Sequence, residues 1–226
     1  MVYVTGDTHG DLSRLDSLRL KKDDTLIICG DFGFIWDGSG HEEKILKLLG
    51  KKKFNICFLD GTHENFDLLG EYDTTVFCGG KAQNISGNLY HLMRGQIYTI
   101  EGRSYFCMGG GESPDNEFTD GASRTRKEYP TDAELMEGAQ NLEKCGFKVD
   151  FIVTHEPPAS VKDFLCLGQP VPPSRSPLNA WFDNLANNVE YTRWFFGSMH
   201  IDKTVSLSRV AVFKRIINAV TGEAAF

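Results

Sequence analysis

Six histidines punctuate the 226-residue sequence, at positions 9, 41, 63, 91, 155 and 200. Four of them close short apolar runs: Val4-Thr-Gly-Asp-Thr-His9, Leu59-Asp-Gly-Thr-His63, Ile152-Val-Thr-His155 and Phe196-Gly-Ser-Met-His200. Ile28-Cys-Gly-Asp31 delivers a carboxylate in the same way. Imidazole nitrogen mixed with carboxylate oxygen suits first-row ions such as Mn, Fe, Co or Zn, whereas an all-oxygen set would suit Mg or Ca. In extended backbone, residues i and i+2 share a side, so Asp7 and His9 can reach one ion. One histidine after a strand is ordinarily a hydrogen-bonded turn residue; five chemistry-bearing strand ends in one chain point to a common site. His41 falls at the start of an exposed helix and His91 on a strand surface or loop, and neither is given a role.

The elements that must position these residues are legible as alternating periodicities. Val2–Thr5, Thr25–Cys29 and Phe54–Leu59 read as strands, separated by helical spacing at Leu12, Leu15 and Leu18 and at Ile45, Leu46, Leu48 and Leu49. Such alternation predicts a parallel sheet whose C-terminal strand ends share one ligand-binding edge. A short helix is expected over Asn65–Leu69. From Thr75 to Gly110 the pattern becomes short strands broken by glycines, with a hairpin turning at Glu101-Gly102-Arg103. Residues 111–130 read as a long polar excursion. A capping box, Thr131 with Glu134, opens a helix, and Ser176-Pro177 opens another with Leu178, Trp181, Phe182 and Leu185 inward. Phe151–Val153, Trp194–Phe196 and a tail over Val205–Phe213 supply further strands. No repeat or linker divides the chain, so residues 1–226 are expected to form one domain.

Composition limits the function. With 41% hydrophobic residues and no polar low-complexity tract, a sizeable core is expected. A net charge of -7 counts against general duplex nucleic-acid binding, which needs a broad basic face, but leaves room for a small phosphorylated substrate. The six cysteines show no Cys-x-x-Cys and several lie in apolar runs, so buried reduced thiols are expected. The sequence opens on Met1-Val-Tyr-Val-Thr5 without a charged leader, and no stretch approaches the ~20 apolar residues of a membrane span, so a cytoplasmic location is expected.

Gly6-Asp-Thr-His-Gly10, Gly30-Asp-Phe-Gly33, Gly61-Thr-His-Glu-Asn65, Thr154-His155 and Gly197-Ser-Met-His200 together resemble, in order and spacing, the calcineurin-like metallophosphoesterases. The resemblance spans nearly the whole chain. It implies an α/β, four-layer αββα sandwich, two mixed sheets with helices outside, and a two-metal centre at the strand ends. Asp7 and His9 resemble ligands of the first metal, with His200 as its further ligand. Asp31 resembles the carboxylate that bridges both ions, His155 a ligand of the second, and His63 the histidine that faces the substrate.

Two departures fall on one half of that centre. Thr62 stands where the family has Asn, and Ser198 where it has His; both absent ligands belong to the second metal. Neutral hydroxyls replace an amide carbonyl and an imidazole poorly, so one ion is expected firmly and the second is in doubt. Losing a second Lewis acid costs several kcal/mol of transition-state stabilisation, each ~1.4 of which is tenfold in rate. The expectation is a metal-dependent phosphoesterase of reduced activity acting on a small phosphoester or a phosphoprotein. Its alternative is an impaired relative that binds metal, phosphate or a partner. A further alternative has Glu64, Asn65, Glu156, Asp202 or waters completing the second site. Arg124 and Arg126, with Lys127 beside them, are candidates for substrate phosphate because guanidinium forks match its oxygens; Arg94 is another.

Overall fold

Strands β1 (Val2–Thr5), β2 (Thr25–Ile28) and β9 (Phe151–Thr154) are buried at every residue. That continuous burial is what a strand covered on both faces requires. The computed structural model describes residues 1–112, 127–171 and 173–225, and the covering layers are visible there. Arg124 and Arg126 lie outside the described residues.

The first sheet runs β13 (Ile217–Asn218), β1, β2, β3 (Asn55–Phe58), β6 (Leu89–Leu92), β5 (Gly80–Ser86), β4 (Thr74–Phe77). Its β1-β2-β3-β6 centre is parallel and its edges antiparallel. The second runs β11 (Lys203–Ser206), β12 (Arg209–Ala211), β10 (Arg193–Phe196), β9, β8 (Arg103–Met108), β7 (Gln96–Ile100). Here β8, β9, β10 and β12 are parallel, with β7 and β11 antiparallel at the edges. The β7–β8 turn places Glu101 and Gly102 at positive φ, as a two-residue hairpin demands.

Alternating faces of the two sheets make the layers. Val4, Ile27, Cys57, Tyr105, Val153 and Phe195 interlock between the sheets. On the outer face of the first sheet, Leu26, Ile28 and Phe58 pack with α1 (Ser13–Asp16), α2 (Gly40–Gly50) and α3 (Phe66–Leu69) through Leu15, Leu46, Leu49 and Leu69. On the outer face of the second, Phe106, Ile152 and Trp194 pack with α4 (Asp132–Lys144), α5 (Ala159–Leu165) and α6 (Pro177–Asn188) through Leu142, Val161, Leu178 and Phe182. The result is the αββα sandwich of two mixed sheets. Capping boxes start α4 at Thr131 and α6 at Ser176.

Two differences from the sequence reading concern helices. The spacing of Leu12, Leu15 and Leu18 suggests several turns, yet α1 has four residues, and Leu12 carries no side-chain cap. Helix α5 has no counterpart in the sequence reading: it is seven residues long and starts behind Pro157-Pro158. Pro158 serves as its N-cap, where a missing N–H costs nothing.

Candidate metal centre

Strands β1, β2 and β3 of one sheet and β9 and β10 of the other end at a common edge. There Asp7, His9, Asp31, His63, His155 and His200 meet. Backbone contacts join the loops before any side chain does: Thr8 and His9 N–H donate to the Asp31 carbonyl at 3.0 and 2.9 Å. The Asp31 carboxylate is held in turn by the next loop, Oδ1 accepting from Thr62 N–H at 2.6 Å and His63 N–H at 2.9 Å. Ser198 N–H donates to both Asp7 oxygens, at 3.1 and 3.0 Å. Gly61 and Gly197 permit these approaches: a β-carbon on Gly61 would overlap Asp31 Oδ1, and one on Gly197 would overlap Asp7 Oδ1. Half of the eight described non-glycine residues with positive φ lie here: His9, Asp31, Ser198 and His200. Left-handed backbone at such residues is uncommon and gathers where a site dictates side-chain aim.

Asp7, His9, Asp31 and His200 bring one ligand atom each to within 4.8 Å of one another. His9 Nε2 lies 2.9 Å from His200 Nε2, and His200 Nε2 lies 3.0 Å from Asp7 Oδ2. Two nitrogens and two oxygens in so small a space can hold one first-row divalent ion. The carboxylates are buried while the His9, His63 and His200 side chains stay 31%, 49% and 50% exposed. The site is therefore an anionic floor beneath an open ring of imidazoles. The hydrogen bond to Asp7 raises the basicity of His200, whereas burial, only partly offset by Asp31 and Asp7, lowers that of His9.

His63 flanks this cluster, its Nδ1 2.9 Å from Asp31 Oδ2 and its ring edge-on to His9 at 4.9 Å. The bond to Asp31 raises its pKa above the ordinary imidazole value. Burial favours a neutral Asp31, but His155 and the donors from His63 and Thr62 outweigh it and hold the carboxyl well below the usual range.

The other half of the centre is built differently. His155 is buried, with Nδ1 3.0 Å from the Cys29 carbonyl and Nε2 3.6 Å from Asp31 Oδ1. Burial opposes its charge, yet Asp31, Asp7 and Glu156 together push its pKa up to about 9. A β-carbon on Gly111 would meet Thr62 Cγ2 at 3.1 Å, His155 Cδ2 at 3.2 Å and Glu156 Cγ at 3.3 Å, so these three residues converge on one point. Ser198 Oγ donates to Glu156 Oε1 at 3.1 Å.

The other candidates for completing this half are engaged elsewhere. Glu64 accepts from Phe32 N–H at 2.6 Å and Gly61 N–H at 3.1 Å; burial and the charges of Asp31 and Asp60 raise its pKa to about 8. Asn65 caps α3 by accepting from Asp67 and Leu68 N–H. Asp202 accepts from Phe213, Lys214 and Arg215 N–H. Arg94 is buried on Asp60, its Nε and Nη2 at 2.8 and 2.6 Å from Oδ2, and its remaining N–H groups go to Glu134 and the carbonyls of residues 127–129. His91 Nε2 lies 3.0 Å from the other Asp60 oxygen. Arg94 is thus a core residue with no donor to spare for a phosphate. Lys127 pairs with Asp67.

Two supporting residues lie outside the sequence reading. Arg14 of α1 donates to the carbonyls of Asp7 and Phe213 and to Thr5 Oγ1, and its guanidinium covers the Phe213 ring at 5.4 Å. The same ring lies 5.0 Å from the His200 imidazole. An arginine seven residues after an aspartate carries no local signal; its partner Phe213 is 199 positions away.

The family model for calcineurin-like phosphoesterases matches residues 1–202. No curated protein matches the sequence. Among solved structures, a phosphopantetheinyl hydrolase from Mycobacterium tuberculosis is similar at TM-score 0.50 and 17% identity, over 94% of this chain and 89% of that one. A protein of unknown function from Aquifex aeolicus aligns at TM-score 0.38 and 16% identity, over 84% and 87%.

Proposed function

The chain belongs to the calcineurin-like phosphoesterase family, and from that premise we propose that it hydrolyses a small phosphomonoester or phosphodiester at a centre with one firmly held divalent ion. The observation that carries this is the cluster of Asp7, His9, Asp31 and His200, whose ligand atoms lie within 4.8 Å of one another on a buried floor. Its mixed nitrogen and oxygen donors fit Mn, Fe, Co or Zn. A bound ion of this kind polarises a phosphoryl oxygen and lowers the pKa of its water.

The residues supply the rest. Asp7 is aimed by the Ser198 N–H and Asp31 by the Thr62 and His63 N–H groups, so neither carboxylate must reorganise when charge develops. His63 has Nδ1 occupied by Asp31, which leaves Nε2 to give a proton to the departing oxygen. Its raised basicity keeps that proton available near neutral pH. The second half, with Thr62 and Ser198 in place of stronger donors, adds little to catalysis, and turnover is modest. A second reading, as a binding relative with almost no turnover, draws on a different observation, the engagement of Ser198 with Glu156. Six free thiols favour a reducing compartment such as the cytoplasm, and no described helix is long and apolar enough to cross a membrane.

Metal-free protein reloaded with each of the four ions is expected to hydrolyse generic aryl phosphate mono- or diesters only when loaded. Asp7→Asn abolishes both loading and turnover. His63→Ala lowers kcat by about 10²- to 10³-fold with metal content unchanged. Turnover that ignores metal, or no turnover with any ion, overturns the enzyme reading.

A further inference from the structure

Beside His155 the chain carries a buried carboxylate that the proposed reaction does not use. Glu156 is 4% exposed, and its side-chain partners among the described residues are three. Oε2 accepts from Lys162 Nζ at 3.0 Å and from Asn179 Nδ2 at 3.1 Å; Oε1 accepts from Ser198 Oγ at 3.1 Å. The orientation of Asn179 is dictated by its other bonds, Oδ1 accepting from Ser176 N–H at 2.9 Å and Nδ2 donating to the Pro157 carbonyl at 2.9 Å. Both Glu156 oxygens are therefore satisfied, and the Lys162 ammonium supplies the counter-charge. Lys162, whose side chain is only 16% exposed, reaches it from α5.

This pair stands where the centre lacks donors. Ser198 occupies the position of the absent imidazole and spends its hydroxyl on Glu156; Thr62, His155 and Glu156 converge at Gly111. Yet among the described residues only Asp7, His9, Asp31 and His200 form a group with ligand atoms near enough to share an ion. Glu156 is not in that group, as expected of a carboxylate drawn towards an ammonium.

Building on the metal-centre reading, we propose that the Lys162 ammonium takes the place of a second ion. Its pairing with Glu156 closes this half, so the chain holds one divalent ion, and removing that charge opens a second cation site formed by Asp31, His155 and Glu156. A buried carboxylate stripped of its counter-charge is strongly unfavourable, and a divalent ion beside His155 and Asp31 relieves it.

The test is ion stoichiometry, read without turnover. Metal-free wild-type protein, Lys162→Met and Lys162→Gln are titrated with Mn²⁺ by calorimetry, counted by elemental analysis after buffer exchange, and examined by electron paramagnetic resonance for spin coupling between neighbouring Mn²⁺ ions. Lys162→Gln keeps an amide donor for Glu156 should the methionine variant fold poorly. The wild type is expected to bind one uncoupled ion. Both variants are expected to bind a second at least tenfold more tightly than the wild type does, with a coupled spectrum, and the double variant Glu156→Gln with Lys162→Met returns to one. A coupled pair in the wild type overturns this proposal alone. So does a folded Lys162 variant that still takes one ion. No ion in the wild type overturns the metal-centre reading itself, and this inference with it.

Discussion

At the scale of single residues, the charges of this site are balanced by protons wherever metal is absent, and that has a measurable sign. His155 rises from an unfolded value of ~6.5 to about 9 in the fold, because Asp31, Asp7 and Glu156 outweigh its burial. A raised value contributes stability that is complete below the unfolded pKa and lost as pH climbs through the folded one. Glu64, raised to about 8 mainly by burial, acts in the same sense. Asp31, held low, matters only at acid pH, outside this window. Metal-free protein in chelator is expected to lose on the order of 5 °C in thermal midpoint between pH 6.5 and 9, with a shallower slope in His155→Gln. A midpoint that is flat or rising across that range would contradict the proposed charge balance. Residue types were legible in the sequence at this scale. Asp7, His9, Asp31, His63, His155 and His200 announce themselves by following apolar runs, and Thr62 and Ser198 by departing from a pattern. Arg94 misleads, because its partner Asp60 is 34 positions away and nothing local marks a buried pair.

At the scale of elements, the strand ends carry the proposed ligands but two neighbours aim them. Arg14 on the single-turn α1 ties the carbonyl of Asp7 to that of Phe213. Asp202, two residues past His200, collects three N–H groups from residues 213–215. The segment after β12 is thereby clamped against the His200 imidazole through the Phe213 ring. Residues that orient ligands typically contribute 10- to 100-fold to metal affinity. Arg14→Met is expected to weaken Mn²⁺ binding by about that factor, with unchanged far-ultraviolet circular dichroism; calorimetry on the folded variant decides, and unaltered affinity would remove Arg14 from the site. Helix α5, which carries Lys162, escapes a reading from periodicity because seven residues behind two prolines offer too few turns to show a stripe. The capped helices α4 and α6 were readable because their Ser or Thr caps and first-turn partners are local chemistry.

At the scale of the whole molecule, an ion held by the proposed centre at the junction of two sheets would bind only the folded chain and so stabilise it. At a hundred times its dissociation constant an ion adds ~2.7 kcal/mol, which for a chain of this length corresponds to about 5–10 °C in thermal midpoint. Scanning calorimetry with and without Mn²⁺ measures it, and Asp7→Asn is expected to erase the shift; an equal shift in that variant would mean the ion binds elsewhere. The sequence by itself determined the donor types, the strand ends that bear them and the parallel βα character, because these follow from residue identity and short-range periodicity. Strand periodicity alone suggested one shared sheet edge. Only the tertiary structure shows β1, β2 and β3 meeting β9 and β10 across two sheets, a packing of surfaces far apart in the chain, Cys29 and His155 being separated by 126 positions. It alone brings Lys162, Glu156, Asn179 and Ser198 to one point, since hydrogen bonds between buried side chains from separate elements leave no periodic trace in the sequence.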